Sequence, residues 1–140
     1  MSARPISDVS VGDTVGPVTV PVTREGLKAY ADASGDQNPI HQDEEFARSV
    51  GLPDVIAHGM WTMGAAGSVV ASWAGDAGRV VEYGTRFTKP VVVPTSGAEV
   101  VVEGVVTAVD AETGRVTVDL TTTAGGAKVL GRCVAVVRLD

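Results

Sequence analysis

The stretch His58-Gly59-Met60-Trp61-Thr62-Met63-Gly64-Ala65-Ala66-Gly67-Ser68-Val69-Val70-Ala71-Ser72-Trp73-Ala74 decides the fold. It carries no charged side chain, and its composition predicts one helix from about His58 or Gly59 to Ala74 that is buried nearly all round. The run is too short to span a bilayer and is broken by Gly64, Gly67, Ser68 and Ser72. The small residues from Gly64 to Gly67 lower helix propensity but let another backbone come close, so contact with strands is expected there. Met60, Trp61, Met63 and Trp73 read as core or tunnel wall.

After Asp76 the pattern changes to period two. Val81, Tyr83, Thr85 and Phe87 alternate with Glu82, Gly84, Arg86 and Thr88 until Pro90 marks an edge, bend or strand end. Further Val- and Thr-rich runs at 98–109, 115–123 and 128–139 are separated by turns at 112–114 and 124–126. These read as an antiparallel meander. Before Asp76 the signals are those of helix and loop. Leu27, Tyr30 and Ala31 recur at helical spacing between a Thr23 N-cap and a Gly35 stop. Residues 43–50 form a second short helix, with acidic residues at its start and Phe46, Ala47 and Val50 on one face. The simplest architecture is α+β: a curved antiparallel sheet wrapped around one hydrophobic helix, with two short helices over its mouth. This is the hot-dog fold, expected as a single domain over residues 1–140.

At 140 residues, with 44% hydrophobic and 20% charged, the chain can bury a core. The formal charge of −6 disfavours nucleic-acid binding, which needs a cationic face. One cysteine, Cys133, makes no internal disulfide or zinc cluster, and the first ten residues have no apolar stretch, so a cytoplasmic protein without a membrane segment is expected.

Chemistry concentrates in Ser34-Gly35-Asp36-Gln37-Asn38-Pro39-Ile40-His41. Pro39 forces Asn38 out of the helical region. A carboxylate and an imidazole five residues apart on a stiffened bend can be aimed at one point as an acid and a base. The same residues also suit a plain turn in which Asp36 and Asn38 are turn formers and His41 caps the next helix, and spacing alone does not choose between the two. At the second segment, Ile56-Ala57-His58-Gly59-Met60, backbone N–H groups of a helix's first turn can hold an oxygen that gains negative charge. Gly59 has no Cβ to block that approach; equally, it eases a tight helix entry, with His58 as a partly buried polar residue.

Tyr30, the run Ser34-Gly35-Asp36-Gln37-Asn38-Pro39-Ile40-His41 and Ala47 resemble the signature of the MaoC-like, or (R)-specific enoyl-thioester hydratase, family: an aromatic residue, then S-G-D-x-N-P-[LIV]-H, then a small residue. The resemblance continues through Ala57-His58-Gly59-Met60 and Arg86-Phe87-Thr88-Lys89-Pro90-Val91. Within the family, Gly35-Asp36-Gln37-Asn38-Pro39-Ile40-His41 and Ala57-His58-Gly59-Met60-Trp61-Thr62-Met63-Gly64 are most similar to the HadB-type catalytic subunit of (3R)-hydroxyacyl-ACP dehydratases.

The resemblance implies a hot-dog dimer, either a homodimer or a heterodimer with a related subunit. It also implies reversible hydration of trans-2-enoyl thioesters to (R)-3-hydroxyacyl thioesters on CoA or acyl carrier protein, without a cofactor. Asp36 and His41 match the catalytic pair, Asn38 the position that helps hold it, and the Gly59 N–H the oxyanion contact. Gly67 and Ser68 stand where some hydratases place a serine. Arg86 and Lys89 are candidates for the carrier's phosphate or acidic surface, and equally ordinary solvated charges at a strand end.

Two other readings stay open: a hot-dog thioesterase, against which His41 argues, and a non-catalytic acyl-chain-binding partner subunit, against which retention of both Asp36 and His41 argues. A metal site from Asp36, His41, Asp54 and His58 has no regular ligand spacing, and no metal is expected.

Overall fold

Residues 2–140 are described by a computed structural model. Strands β1 (Thr14–Val22), β2 (Val80–Phe87), β3 (Ala98–Asp110), β4 (Arg115–Ala124), β5 (Ala127–Lys128) and β6 (Leu130–Arg138) form one antiparallel sheet. Its order is β1-β3-β4-β6-β2, with the short β5 paired to β4. Helices α1 (Arg24–Ser34), α2 (Glu44–Ser49) and α3 (Gly59–Ala74) complete the fold. α3 touches five strands, β1, β2, β3, β4 and β6, so the sheet wraps it in the expected hot-dog arrangement. Alternation along the strands delivers Val100, Val102 and Val106 of β3, Val116, Val118 and Leu120 of β4, and Ala135 and Val137 of β6 to the buried face. Among the described residues no helix is long and apolar enough to cross a membrane.

All three helices and strands β2, β3, β4 and β6 lie where the periodicity places them, but only β3, β4 and β6 follow one another as a meander; β2 crosses to the far edge and pairs with β6. β1 has no such counterpart: the sequence reading assigned only helix and loop before Asp76. Pro17 and Pro21 obscure a Val15, Val18, Val20, Val22 pattern, and the prolines are tolerated because β1 is an edge strand, where half of the N–H groups have no ladder partner to lose. A register shift between Val15 and Val18 hides the alternation further.

Two packing expectations are also corrected and a third is refined. α3 is not buried all round, because Met60, Gly64, Ser68 and Ser72, four residues apart, form an exposed stripe, with Met60 59% exposed. The small-residue run does meet a strand, as expected, but at Gly67 it meets a β2 side chain and not a strand backbone. The Tyr83 ring occupies the space where a Cβ on Gly67 would lie, 2.9 Å from it, and the Tyr83 hydroxyl donates to the Met63 carbonyl at 2.6 Å. On α2 only Ala47 is buried, while Phe46 and Val50 face outward.

α1 starts on Thr23, whose Oγ1 accepts from the Gly26 N–H at 2.9 Å, and ends on Gly35 at φ +81°, a left-handed conformation that a side chain would strain. Arg24, its first residue, ties three segments together. Nη1 meets Glu44 at 2.9 Å, Nη2 donates to Asp54 at 3.0 Å, and Nε donates to the Val93 carbonyl at 2.6 Å. Asp54 is thereby held in a structural ion pair. Arg24→Met leaves this largely buried carboxylate with the Val55 N–H at 2.8 Å and Arg48 at 3.7 Å, and urea unfolding is expected to show a loss of about 1–3 kcal/mol. An unchanged midpoint would contradict the clamp.

Candidate active site

The bend after α1 is built by its own side chains. Asp36 Oδ1 accepts from the Asn38 N–H and Asn38 Oδ1 accepts from the Ile40 N–H, both at 3.2 Å. Asn38 sits at φ −56°, ψ 125°, and Pro39 opens a single 3-10 turn, Pro39–His41. Gln37 links the bend to α1 through Asp32 at 2.8 Å and is itself held by Gln42 at 2.8 Å. The turn formers and the chemical pair are therefore one set of residues, and Asp43, not His41, caps α2 by accepting from the Phe46 N–H.

A second segment braces the bend. Residues 55–57 are bonded to 91–93, with Val93 N–H donating to Val55 and Ala57 N–H to Val91. Ile56 N–H donates to the Ile40 carbonyl at 3.1 Å, and the His41 ring returns the contact by donating from Nδ1 to the Ile56 carbonyl at 2.7 Å. A carbonyl only accepts, so Nδ1 carries the proton and Nε2 keeps the lone pair. That Nε2 lies 4.0 Å from Asp36 Oδ2. The two groups are too far apart to bond directly, but a single water about 2.8 Å from each can bridge them.

Their surroundings differ. His41 is buried at 6% exposure, whereas the Asp36 side chain is 53% exposed. Burial pushes the His41 imidazole below its ordinary pKa; the Ile56 carbonyl pulls upward, neighbouring His58 downward and Asp36 upward, with the net shift down. A buried, neutral base thus faces a solvated carboxyl.

α3 begins at Gly59, which shares a cleft with His41, while Asp36 approaches the helix start through its carbonyl, 3.0 Å from His58 Nε2, and is not among the residues lining the cleft. The α3 N-cap residue His58 makes no side-chain cap bond, so no N-cap side chain occupies the first-turn N–H groups. Gly59, His41, Thr62, Phe87, Lys89 and Val91 line one cleft of about 300 Å³. A Cβ on Gly59 would sit 3.1 Å from the exposed Phe87 ring, so the glycine brings that ring down onto the helix start. Histidine lone pair, carboxyl and electropositive helix tip together suit proton transfer next to a carbonyl that gains negative charge.

The other expected residues divide. Asn38 shapes the bend but does not line the cleft, Lys89 lines it, and Arg86 lies outside it. Ser68 donates to the Gly64 carbonyl at 2.9 Å and lines a different groove, of about 510 Å³, between β1 and α3. Asp36, His41 and His58 gather with ligand-type atoms within 4.8 Å, whereas Asp54 pairs with Arg24. The two imidazoles stack at 3.8 Å with planes 22° apart, and ring lone pairs lie in those planes, so they run side by side instead of meeting at one ion. This donor set does not fit a resident metal.

Sequence reading missed the part played by His58, treating it as a partly buried polar residue. It is 2% exposed, stacks on His41, lies 4.8 Å from the Tyr30 ring and donates from Nε2 to the Asp36 carbonyl at 3.0 Å. Its position directly before a charge-free helix was the available signal.

Residues 8–125 match the family model described as MaoC like domain. A curated relative, 3-hydroxyacyl-thioester dehydratase X of Mycobacterium tuberculosis, is 40% identical over 83 residues, covering 59% of this chain and 29% of the relative. The mitochondrial 3-hydroxyacyl-[acyl-carrier-protein] dehydratase of Arabidopsis thaliana is 42% identical over 52 residues, 37% of this chain and 31% of its own. The chain spans less than a third of the length of these curated relatives. Among solved structures, a MaoC-like dehydratase superposes with TM-score 0.96 at 39% identity, covering 99% of this chain and 43% of that one. The (R)-hydratase from A. caviae involved in PHA biosynthesis superposes with TM-score 0.84 at 27% identity, covering 95% and 98%. With most of its length inside the family model and its fold shared with these dehydratases and hydratases, the chain belongs to the MaoC-like domain family.

Proposed function

We propose that this protein is a hydro-lyase that interconverts (R)-3-hydroxyacyl and trans-2-enoyl thioesters, working in the dehydration step of fatty acid elongation. One observation carries the reading: His41 Nε2 and Asp36 Oδ2 lie 4.0 Å apart on one bend, beside the uncapped start of α3. The dehydratase and hydratase activities in the names of the relatives support it.

In dehydration, His41 Nε2 takes the Cα proton while the Gly59 N–H stabilises the enolate-like oxygen of the thioester. Asp36 gives its proton to the departing hydroxyl, which leaves as water. The proton on His41 then returns to Asp36 across the gap, and both groups regain their starting states. Hydration runs the same steps backward. A coupled optical assay of a short trans-2-enoyl-CoA, with product chirality analysed, tests this: loss of the conjugated alkene is expected, and absence of turnover with both CoA and carrier-protein thioesters would overturn it.

The base must be neutral to act, and burial keeps His41 neutral to lower pH. The acid limb of dehydration kcat/KM is therefore expected to have its midpoint below about 6.5, the ordinary histidine value. A limb above that value would contradict the assignment.

For the carrier, whether CoA or acyl carrier protein, Arg86 and Lys89 supply exposed cations near the cleft, and neither forms a salt bridge among the described residues. Arg86→Glu or Lys89→Glu is expected to raise KM for CoA thioesters about 2- to 5-fold per site, with kcat unchanged and KM for an uncharged N-acetylcysteamine thioester unaffected. Equal effects on both substrates would remove these residues from carrier binding. Residues 1–140 act as one hot-dog unit that pairs with a second, identical or related. The exposed stripe of α3 and the outer edges of β1 and β2, which no strand pairs among the described residues, support that pairing, and the mass of the purified protein in solution tests it.

A further inference from the structure

His58 has no part in the proton transfers above, and it is among the most deeply buried polar side chains. Three contacts define it. Its Nε2 lies 3.0 Å from the Asp36 carbonyl oxygen, its ring stacks on His41 at 3.8 Å, and Tyr30 of α1 covers it, tilted, at 4.8 Å. Its Nδ1 is buried and has no hydrogen-bond partner among the described residues.

The protonation state follows from those contacts. The Asp36 carbonyl can only accept, so His58 Nε2 bears a hydrogen. A second hydrogen on Nδ1 would put an unpartnered cation in the interior, against the face of another imidazole. The donating hydrogen of His58 is therefore on Nε2, whereas that of His41, which donates to Ile56, is on Nδ1.

We infer that His58 is a positioning residue for the dyad: its Nε2–H holds the backbone of Asp36 while its ring backs that of His41, fixing the separation of carboxyl and imidazole from a third point. This rests on the dyad reading given under Proposed function. His58 precedes α3 directly, so the same side chain also ties the position of the helix tip to the position of both reacting groups. A loss of this brace moves the dyad relative to the thioester without removing any group that touches it.

Two variants and one spectrum test the inference. His58→Phe keeps a ring and loses the donor; His58→Gln offers an amide N–H in place of Nε2–H. With a trans-2-enoyl-CoA, His58→Phe is expected to lower kcat about 10- to 100-fold with KM within about twofold, and His58→Gln to recover most of that loss. Wild-type kcat in folded His58→Phe, or folded His58→Gln falling as far as His58→Phe, would overturn it. Should His58→Phe fail to fold, His58→Gln alone decides, since the inference requires near-wild-type kcat from it. Long-range ¹H–¹⁵N correlation at neutral pH reads the wild-type tautomers without any turnover. Nε2–H on His58 and Nδ1–H on His41 are expected, and a protonated or Nδ1–H His58 would overturn the brace even if the enzyme proved active. The expected tautomers in a protein that turns over no enoyl thioester would instead locate the failure in the proposed reaction.

Discussion

His41→Asn and Asp36→Asn are each expected to lower hydration and dehydration rates on the order of 10²–10⁴-fold, with circular dichroism and unfolding midpoint close to wild type. The substitutions are chosen to spare structure. An asparagine amide can donate toward the Ile56 carbonyl where His41 Nδ1–H does now, but it has no lone pair corresponding to Nε2. Asparagine at position 36 keeps an oxygen for the Asn38 N–H, preserving the bend, and loses the ionisable proton. Because the two groups act on one substrate in sequence, the double variant should be little worse than the poorer single one. Multiplicative losses in the double variant would show two independent functions and contradict a dyad.

The second large effect concerns the platform under the site. Leu27→Ala is expected to cost about 2–5 kcal/mol in urea unfolding, because Leu27 is 1% exposed and its removal opens a cavity beneath α1. α1 carries Arg24, which clamps Asp54, and Tyr30, which covers His58, so the same change should depress kcat as well as stability. Val50→Ala is the contrast: at 55% exposure it should shift stability by less than about 0.5 kcal/mol. Equal shifts for the two would mean that α1 is not anchored through Leu27.

The parts of the molecule legible in the sequence are those governed by local chemistry. Thr23 and Gly35 bound α1, the charge-free run after His58 produced α3, and the Val-rich alternation after Val80 yielded β2, β3, β4 and β6, though not the short β5. The dyad was legible because the bend is built from neighbours: Asp36, Asn38 and Pro39 determine their own turn, which carries His41. What stayed hidden depends on distant partners. β1 is concealed by its two prolines, whose tolerance follows from its place at the sheet edge, a property of topology. The close packing at Gly67 involves Tyr83, sixteen residues on, and the outward turn of Phe46 and Val50 reflects a two-turn helix that rests on Ala47 alone. His58 is the clearest case, since its role comes from Asp36 and His41, 22 and 17 positions away, and a histidine before a helix reads equally as an ordinary cap.

The most direct measurement follows purified protein with a trans-2-enoyl thioester, recording alkene loss, free thiol and product configuration in one reaction. Addition of water giving the (R)-3-hydroxyacyl thioester, with no thiol released and with the rate abolished in His41→Asn, is the predicted outcome. Release of free thiol, or the same alkene loss in wild type and His41→Asn, would contradict it.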